Sequence, residues 1–202
     1  MSETARPQPL NAATAGSGTT PLWQPLLLRA AATLAFGLVT VFWAAPGTVG
    51  LCVGIAAYFL ALTATQYWTV RALRLPRGDA RRLALIAAAG LLAVSGVVVA
   101  ISASAIVAAW LGGAALAVMG AAELFAALRT PKAAAEAGRG PRGDWMISGV
   151  LGLGTGILLP FFAAAGPHGL MGVAGGGAMM SGALWALSAL TLRHDGGGAK
   201  GR

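Results

Sequence analysis

Leu83-Ala-Leu-Ile-Ala-Ala-Ala-Gly-Leu-Leu-Ala-Val-Ser-Gly-Val-Val-Val-Ala-Ile101 decides the fold. The run holds ten Leu, Ile or Val residues and no charge. As a helix rising ~1.5 Å per residue, it spans the ~30 Å hydrocarbon layer of a bilayer. At roughly −0.3 to −0.6 kcal/mol for each large aliphatic residue near the centre, insertion gains a few kcal/mol before Gly and Ser subtract from it. One such run also suits a helix buried in a soluble protein. Here five more stretches of similar character accompany it: Pro25–Ala45, Thr48–Val70, Ser104–Leu128, Trp145–Ala165 and His168–Leu192. The remaining residues are too few to shield six such helices from water. The expected fold class is an all-α membrane protein with six transmembrane helices.

Composition excludes the competing classes. Of 202 residues, 57% are hydrophobic and 10% charged, and mean hydropathy is +0.75. A soluble domain carries about 25% charged residues, and a disordered chain has low hydrophobicity. One cysteine, Cys52, permits no intrachain disulfide. Together with His168 and His194 it is too small a set for a structural zinc site. No phosphate-cradling loop or His-Glu-x-x-His motif is present. The glycines of Gly149-Val-Leu-Gly152-Leu-Gly154 fall inside an apolar helix, which is the wrong context for a dinucleotide fingerprint. We expect no catalytic residues, no metal and no cofactor.

The net charge of +8 first suggests nucleic acid, but its distribution points to a membrane. The breaks at Pro46-Gly47, Ser102-Ala103 and Gly166-Pro167 carry no Lys or Arg. The longer breaks do: Arg71, Arg74, Arg77, Arg81 and Arg82 in one, Arg129, Lys132, Arg139 and Arg142 in the other. Arg6 and Arg29 lie at the N-terminal side, and Arg193, Lys200 and Arg202 at the C-terminal side. In a six-span layout all fourteen cations share one side. The positive-inside rule then places both termini in the cytoplasm. Anionic lipid headgroups are the expected partner of this face, and nucleic acid is not.

The domain reading is a flexible cytoplasmic tail at 1–24, a six-span membrane domain at 25–193 and a cytoplasmic tail at 194–202. The membrane domain divides into three tandem helical hairpins, with repeats at 25–74, 82–129 and 144–193. The first helix of each repeat sets a glycine among bulky residues. Gly37, Gly96 and Gly156 stand 59 and 60 residues apart. Each repeat returns to a basic end, at Arg71, Arg129 and Arg193. Two spans per repeat give successive repeats the same orientation, unlike the inverted repeats of many transporters.

The run from Leu28 to Arg74, with Phe36-Gly37, Phe42-Trp43 and Pro46-Gly47 followed by an apolar return to Arg71-Ala-Leu-Arg74, resembles the short repeat of HdeD-like bacterial membrane proteins. The second pair departs from that pattern with Ser102-Ala103-Ser104, and the third with Pro160-Phe161-Phe162. The resemblance implies a bacterial cytoplasmic (inner) membrane protein linked to acid resistance, with no catalytic residues to carry over. The resulting expectation is a non-catalytic, stress-protective or structural protein. The alternative is a small transporter or channel component, proton-coupled through Glu123.

Glu123 is the sole acid well inside a span, near the basic end of the fourth. An intramembrane carboxylate is costly and commonly functional. Its depth of under ~10 Å also suits an ordinary interhelical hydrogen bond. Arg29 begins the first span at the same end. Snorkelling to headgroups is our preferred reading for it, and a Glu123–Arg29 pair is the other. Gln66 lies at the same end of the second span. Gly50/Gly54, Gly152/Gly156 and Gly172/Gly176 form GxxxG pairs, which we assign to helix packing within the chain, with contact in a homo-oligomer as the other reading. Trp23, Trp43, Trp68 and Trp145 read as interfacial anchors, and Trp110 and Trp185 as packed. His168 stands at an outer turn, where a solvated role outweighs pH sensing.

Overall fold

The computed structural model describes residues 21–131 and 141–198, with side chains as far as His194. Among them there is no strand, and six helices are long and apolar enough to cross a membrane. They are α1 Trp23–Phe42, α2 Thr48–Ala72, α3 Ala80–Ser102, α4 Ala105–Arg129, α5 Arg142–Phe161 and α6 Gly166–Gly198. Much of the bundle's surface is apolar: Phe42, Ile101 and Phe161 are each at least three-quarters exposed. Such a surface is stable against hydrocarbon, and the chain is a multi-pass membrane protein.

Local chemistry sets the helix ends. Pro46-Gly47 follows α1, and Gly47 is the extended residue that begins α2. Asp79 caps α3 through a bond from the Arg81 N–H (2.8 Å). The same carboxylate pairs with the Arg81 guanidinium at 2.7 Å, which holds Asp79 below the usual carboxylate range. Between α3 and α4 the chain reverses through Ala103, in the left-handed region at φ 45°, and Ser104, whose hydroxyl accepts from the Val107 N–H. A π-helical turn, Ala108–Gly112, interrupts α4 just before Gly113.

Adjacent helices in the chain pack side by side, and α6 returns to α1, so the six close into a ring. The most extensive contacts are α1–α6, α4–α5 and α2–α3. The first helix of each repeat therefore packs hardest on the last helix of the repeat before it. The three repeat glycines explain this. A Cβ on Gly37 would reach the Gly175 carbonyl of α6 at 3.2 Å; on Gly96, the Ala56 carbonyl of α2 at 3.4 Å; on Gly156, the Gly113 carbonyl of α4 at 2.5 Å. The internal repeat is thus a threefold repetition of one helix crossing.

The glycine motifs divide accordingly. Gly152 and Gly156 face α4, with Gly120 and Gly113 opposite. Gly54 makes ordinary contact with Met171 and Phe36, and Gly50 meets the Trp43 ring of the preceding turn. Gly172 and Gly176 correct the expectation: a Cβ on either meets nothing within 4 Å, because their face of α6 points out of the bundle. Closer packing falls on Gly120, Gly149, Gly175 and Gly182, outside the pairs we singled out. Two tryptophan readings also change. Trp110 is 63% exposed on the outer face, and Trp145 is buried at 2%.

At the chain ends, helix begins at Trp23, inside the expected tail at 1–24, and continues past 193 to Gly198. Residues 1–20 and 199–202, with Arg6, Lys200 and Arg202, lie outside the described residues, as do Lys132 and Arg139 in 132–140.

Candidate functional site

Arg29 sits in the second turn of α1, on the stripe formed by Leu26, Ala30, Thr33, Phe36, Gly37 and Thr40, all buried. Residues three and four apart share a helix face, so this stripe fixes the direction of the arginine as well. It points to the bundle axis and is 4% exposed. Snorkelling is therefore excluded by geometry. The guanidinium instead meets residues from four other helices. Nη1 donates to Gln66 Oε1 of α2. Nη2 forms an ion pair with Glu123 Oε1 of α4 and reaches Ser148 Oγ of α5 at 3.4 Å. Its carbon lies 4.6 Å from the ring centroid of Trp185 on α6. Glu123 and Gln66 are buried at 1% and 0%.

The layer occupied by this cluster follows from the repeat. Gln66, Glu123 and Trp185 each stand ten residues after the carbonyl that faces a repeat glycine, at Ala56, Gly113 and Gly175. Arg29, Ala88 and Ser148 each stand eight residues before a repeat glycine, at Gly37, Gly96 and Gly156. One position on a threefold motif thus supplies an amide, a carboxylate and an indole. A second supplies a guanidinium, a methyl and a hydroxyl. Arg29, Gln66 and Glu123, picked out in the sequence, come together. Ser148, Trp185 and their neighbours Tyr58 and Ser181 were not picked out, although the repeat register marks the first two.

A cavity of about 40 Å³ adjoins the pair, and its polar lining is Arg29, Tyr58, Glu123, Ser148, Thr155 and Ser181. Ser148 Oγ and Ser181 Oγ are 3.4 Å apart across α5 and α6. Tyr58 is held by a parallel stack on Phe36, with centroids 4.3 Å apart. Several buried donors in and near this layer have no protein partner: Arg29 Nε, Gln66 Nε2, Trp145 Nε1 and Trp185 Nε1. All four of these unpartnered atoms are donors.

Chemically, the cluster can tie five helices together through one guanidinium. Among the described residues no three His, Cys, Asp or Glu side chains are grouped to hold a metal ion. Compared with protein-family models, with curated proteins and with solved structures, the chain matches none.

Proposed function

We propose that this chain is a non-catalytic protein of a bacterial cytoplasmic membrane, with the structural or stress-protective role that its resemblance to HdeD-like proteins implies. One observation carries the reading. The polar groups of the core bind each other: Arg29 engages Gln66, Glu123 and Ser148 at once. A cluster that ties α1 to α2, α4 and α5 in this way locks a bundle. The adjoining cavity, about 40 Å³, is of a size for a few waters. In this reading the basic end faces the cytoplasm and meets anionic headgroups, with Arg71, Arg129 and Arg193 each lying over an aromatic ring 5.3–5.6 Å away.

The test is survival of a deletion strain at low pH, with complementation by the wild-type chain and by Glu123→Gln. Acid sensitivity rescued by the wild type supports the protective role, and unchanged survival contradicts it. A second reading, proton-coupled transport through Glu123, is favoured by the hydroxyls of Ser148, Thr155 and Ser181 that line the cavity beside that carboxylate. Flux into proteoliposomes that disappears in Glu123→Ala supports transport in place of the structural role.

A further inference from the structure

We infer that the seam between α5 and α6 is a hydrated path from the basic end of the bundle to the Glu123 carboxylate, and that its ligand is water together with the protons water carries. On α6, Ser181, Trp185 and Ser188 are four and three residues apart and share one face. On α5, Asp144 and Ser148 share a face one turn apart. These faces meet twice. Ser188 donates to Asp144 in the first turn of α5. Deeper in, Ser148 and Ser181 are 3.4 Å apart, and Ser148 is in turn reached by the Arg29 nitrogen that holds Glu123.

Between these two meeting points the same helices carry Trp145 and Trp185, buried at 2% and 1%. Neither indole N–H has a protein partner, and Arg29 Nε beside the cavity has none either. Buried donors in folded proteins are almost always satisfied, by ordered water where protein offers nothing. The cavity, lined by Arg29, Ser148 and Ser181 but by neither indole, is polar and roomy enough to hydrate Arg29 Nε and the inner end of the seam. Its volume of about 40 Å³ accommodates roughly three or four waters at the 10–15 Å³ each requires. The α5–α6 interface is also the least extensive of the six in the ring.

A proton passed along this path ends on a Glu123 oxygen and converts the carboxylate to the neutral acid. Arg29 keeps its charge, since a guanidinium does not deprotonate in proteins, and keeps its bonds to Gln66 and Ser148. The ionisable groups facing Glu123 are Arg29 from α1 and Tyr58 from α2, with Asp144 upstream on α5. The only ionisable residues of α3 are Arg81 and Arg82 at its basic end, and α6 presents Trp185 and Ser181 at this layer. The path goes beyond the structural role and stands whether or not the protein protects against acid.

Hydroxyl-radical footprinting of the wild-type chain in lipid nanodiscs, with radicals made from water in place by an X-ray pulse, tests the hydration. After correction for intrinsic reactivity, Trp145 and Trp185 should oxidise several-fold faster than Phe59, which is equally buried at 1%. Equal rates for the three overturn the hydrated seam. Infrared spectroscopy tests the proton. At low pH a carboxylic-acid band, absent in Glu123→Gln, should shift promptly in heavy water and several-fold more slowly in the double variant Ser181→Ala/Ser188→Ala. No exchangeable band, or unchanged exchange in the double variant, overturns proton delivery along the seam.

Discussion

Removing the carboxylate of Glu123 should destabilise the bundle far more than removing both members of its ion pair. Arg29 is 4% exposed and Glu123 1%, so neither charge has water to fall back on. In Glu123→Ala the guanidinium retains the neutral oxygens of Gln66 and Ser148 and the Trp185 ring, but no anion. Breaking a buried pair from one side costs about 3–5 kcal/mol, because a charge is left without compensation. At 1.4 kcal/mol per decade that lowers the folded-to-unfolded ratio roughly a hundredfold to several thousandfold. The double variant Arg29→Met/Glu123→Met leaves no charge behind and fills similar volume. Replacements of this kind range from neutral to stabilising. Here Gln66 Oε1 loses its donor, a penalty of about 1–3 kcal/mol. The double variant should therefore be more stable than Glu123→Ala by about 2 kcal/mol. Unfolding in mixed micelles of rising dodecyl sulfate content, followed by tryptophan fluorescence, measures each term, and Trp185 over the Arg29 guanidinium is a local reporter. If the double variant loses the sum of the two single losses, Arg29 and Glu123 are not coupled and the lock is wrong.

Two glycines from equivalent-looking motifs should behave oppositely. Gly156→Ala drives a methyl to 2.5 Å from the Gly113 carbonyl and should cost about 1–3 kcal/mol of overpacking, while Gly176→Ala meets open space and should be neutral or slightly stabilising; thermal unfolding in detergent compares them. Ala103→Gly relieves a left-handed alanine at φ 45° and should stabilise by about 1 kcal/mol, read by the same assay. Asp79 is held below its usual range by Arg81, so its contribution is complete above the unfolded value of about 3.9 and fades as pH falls through the lower folded value. Asp79→Asn should abolish that segment of the stability–pH curve, at a scale under about 1 kcal/mol because the pair is partly exposed.

Hydropathy made the six spans legible because lipid demands long apolar helices and tolerates little else. Pro46-Gly47 before α2 marked a helix end in the sequence, since turns are local chemistry. Which face of a helix looks inward is not local. Gly172 and Gly176 match the packing motif as well as Gly152 and Gly156 do, yet only the latter pair has a helix opposite it. Leucine on a membrane helix is as comfortable against lipid as against protein, so the usual inside–outside contrast is missing. The same ambiguity left Trp110 and Trp145 misplaced and allowed Arg29 two fates. Symmetry offered the missing signal. Reading eight residues back from Gly37 and Gly156 leads from Arg29 to Ser148, and ten on from the facing carbonyls leads to Gln66, Glu123 and Trp185.

The convergence of Arg29 and Glu123 at the axis of a lipid-embedded ring is the claim on which the rest depends. Solid-state NMR on the chain in bilayers, with ¹⁵N-labelled arginine and ¹³C-carboxyl-labelled glutamate, reads it directly. A dipolar coupling between a guanidinium nitrogen and a glutamate carboxyl carbon should appear and should vanish in Glu123→Gln. No such coupling in the wild type, or one that survives the substitution, contradicts the account.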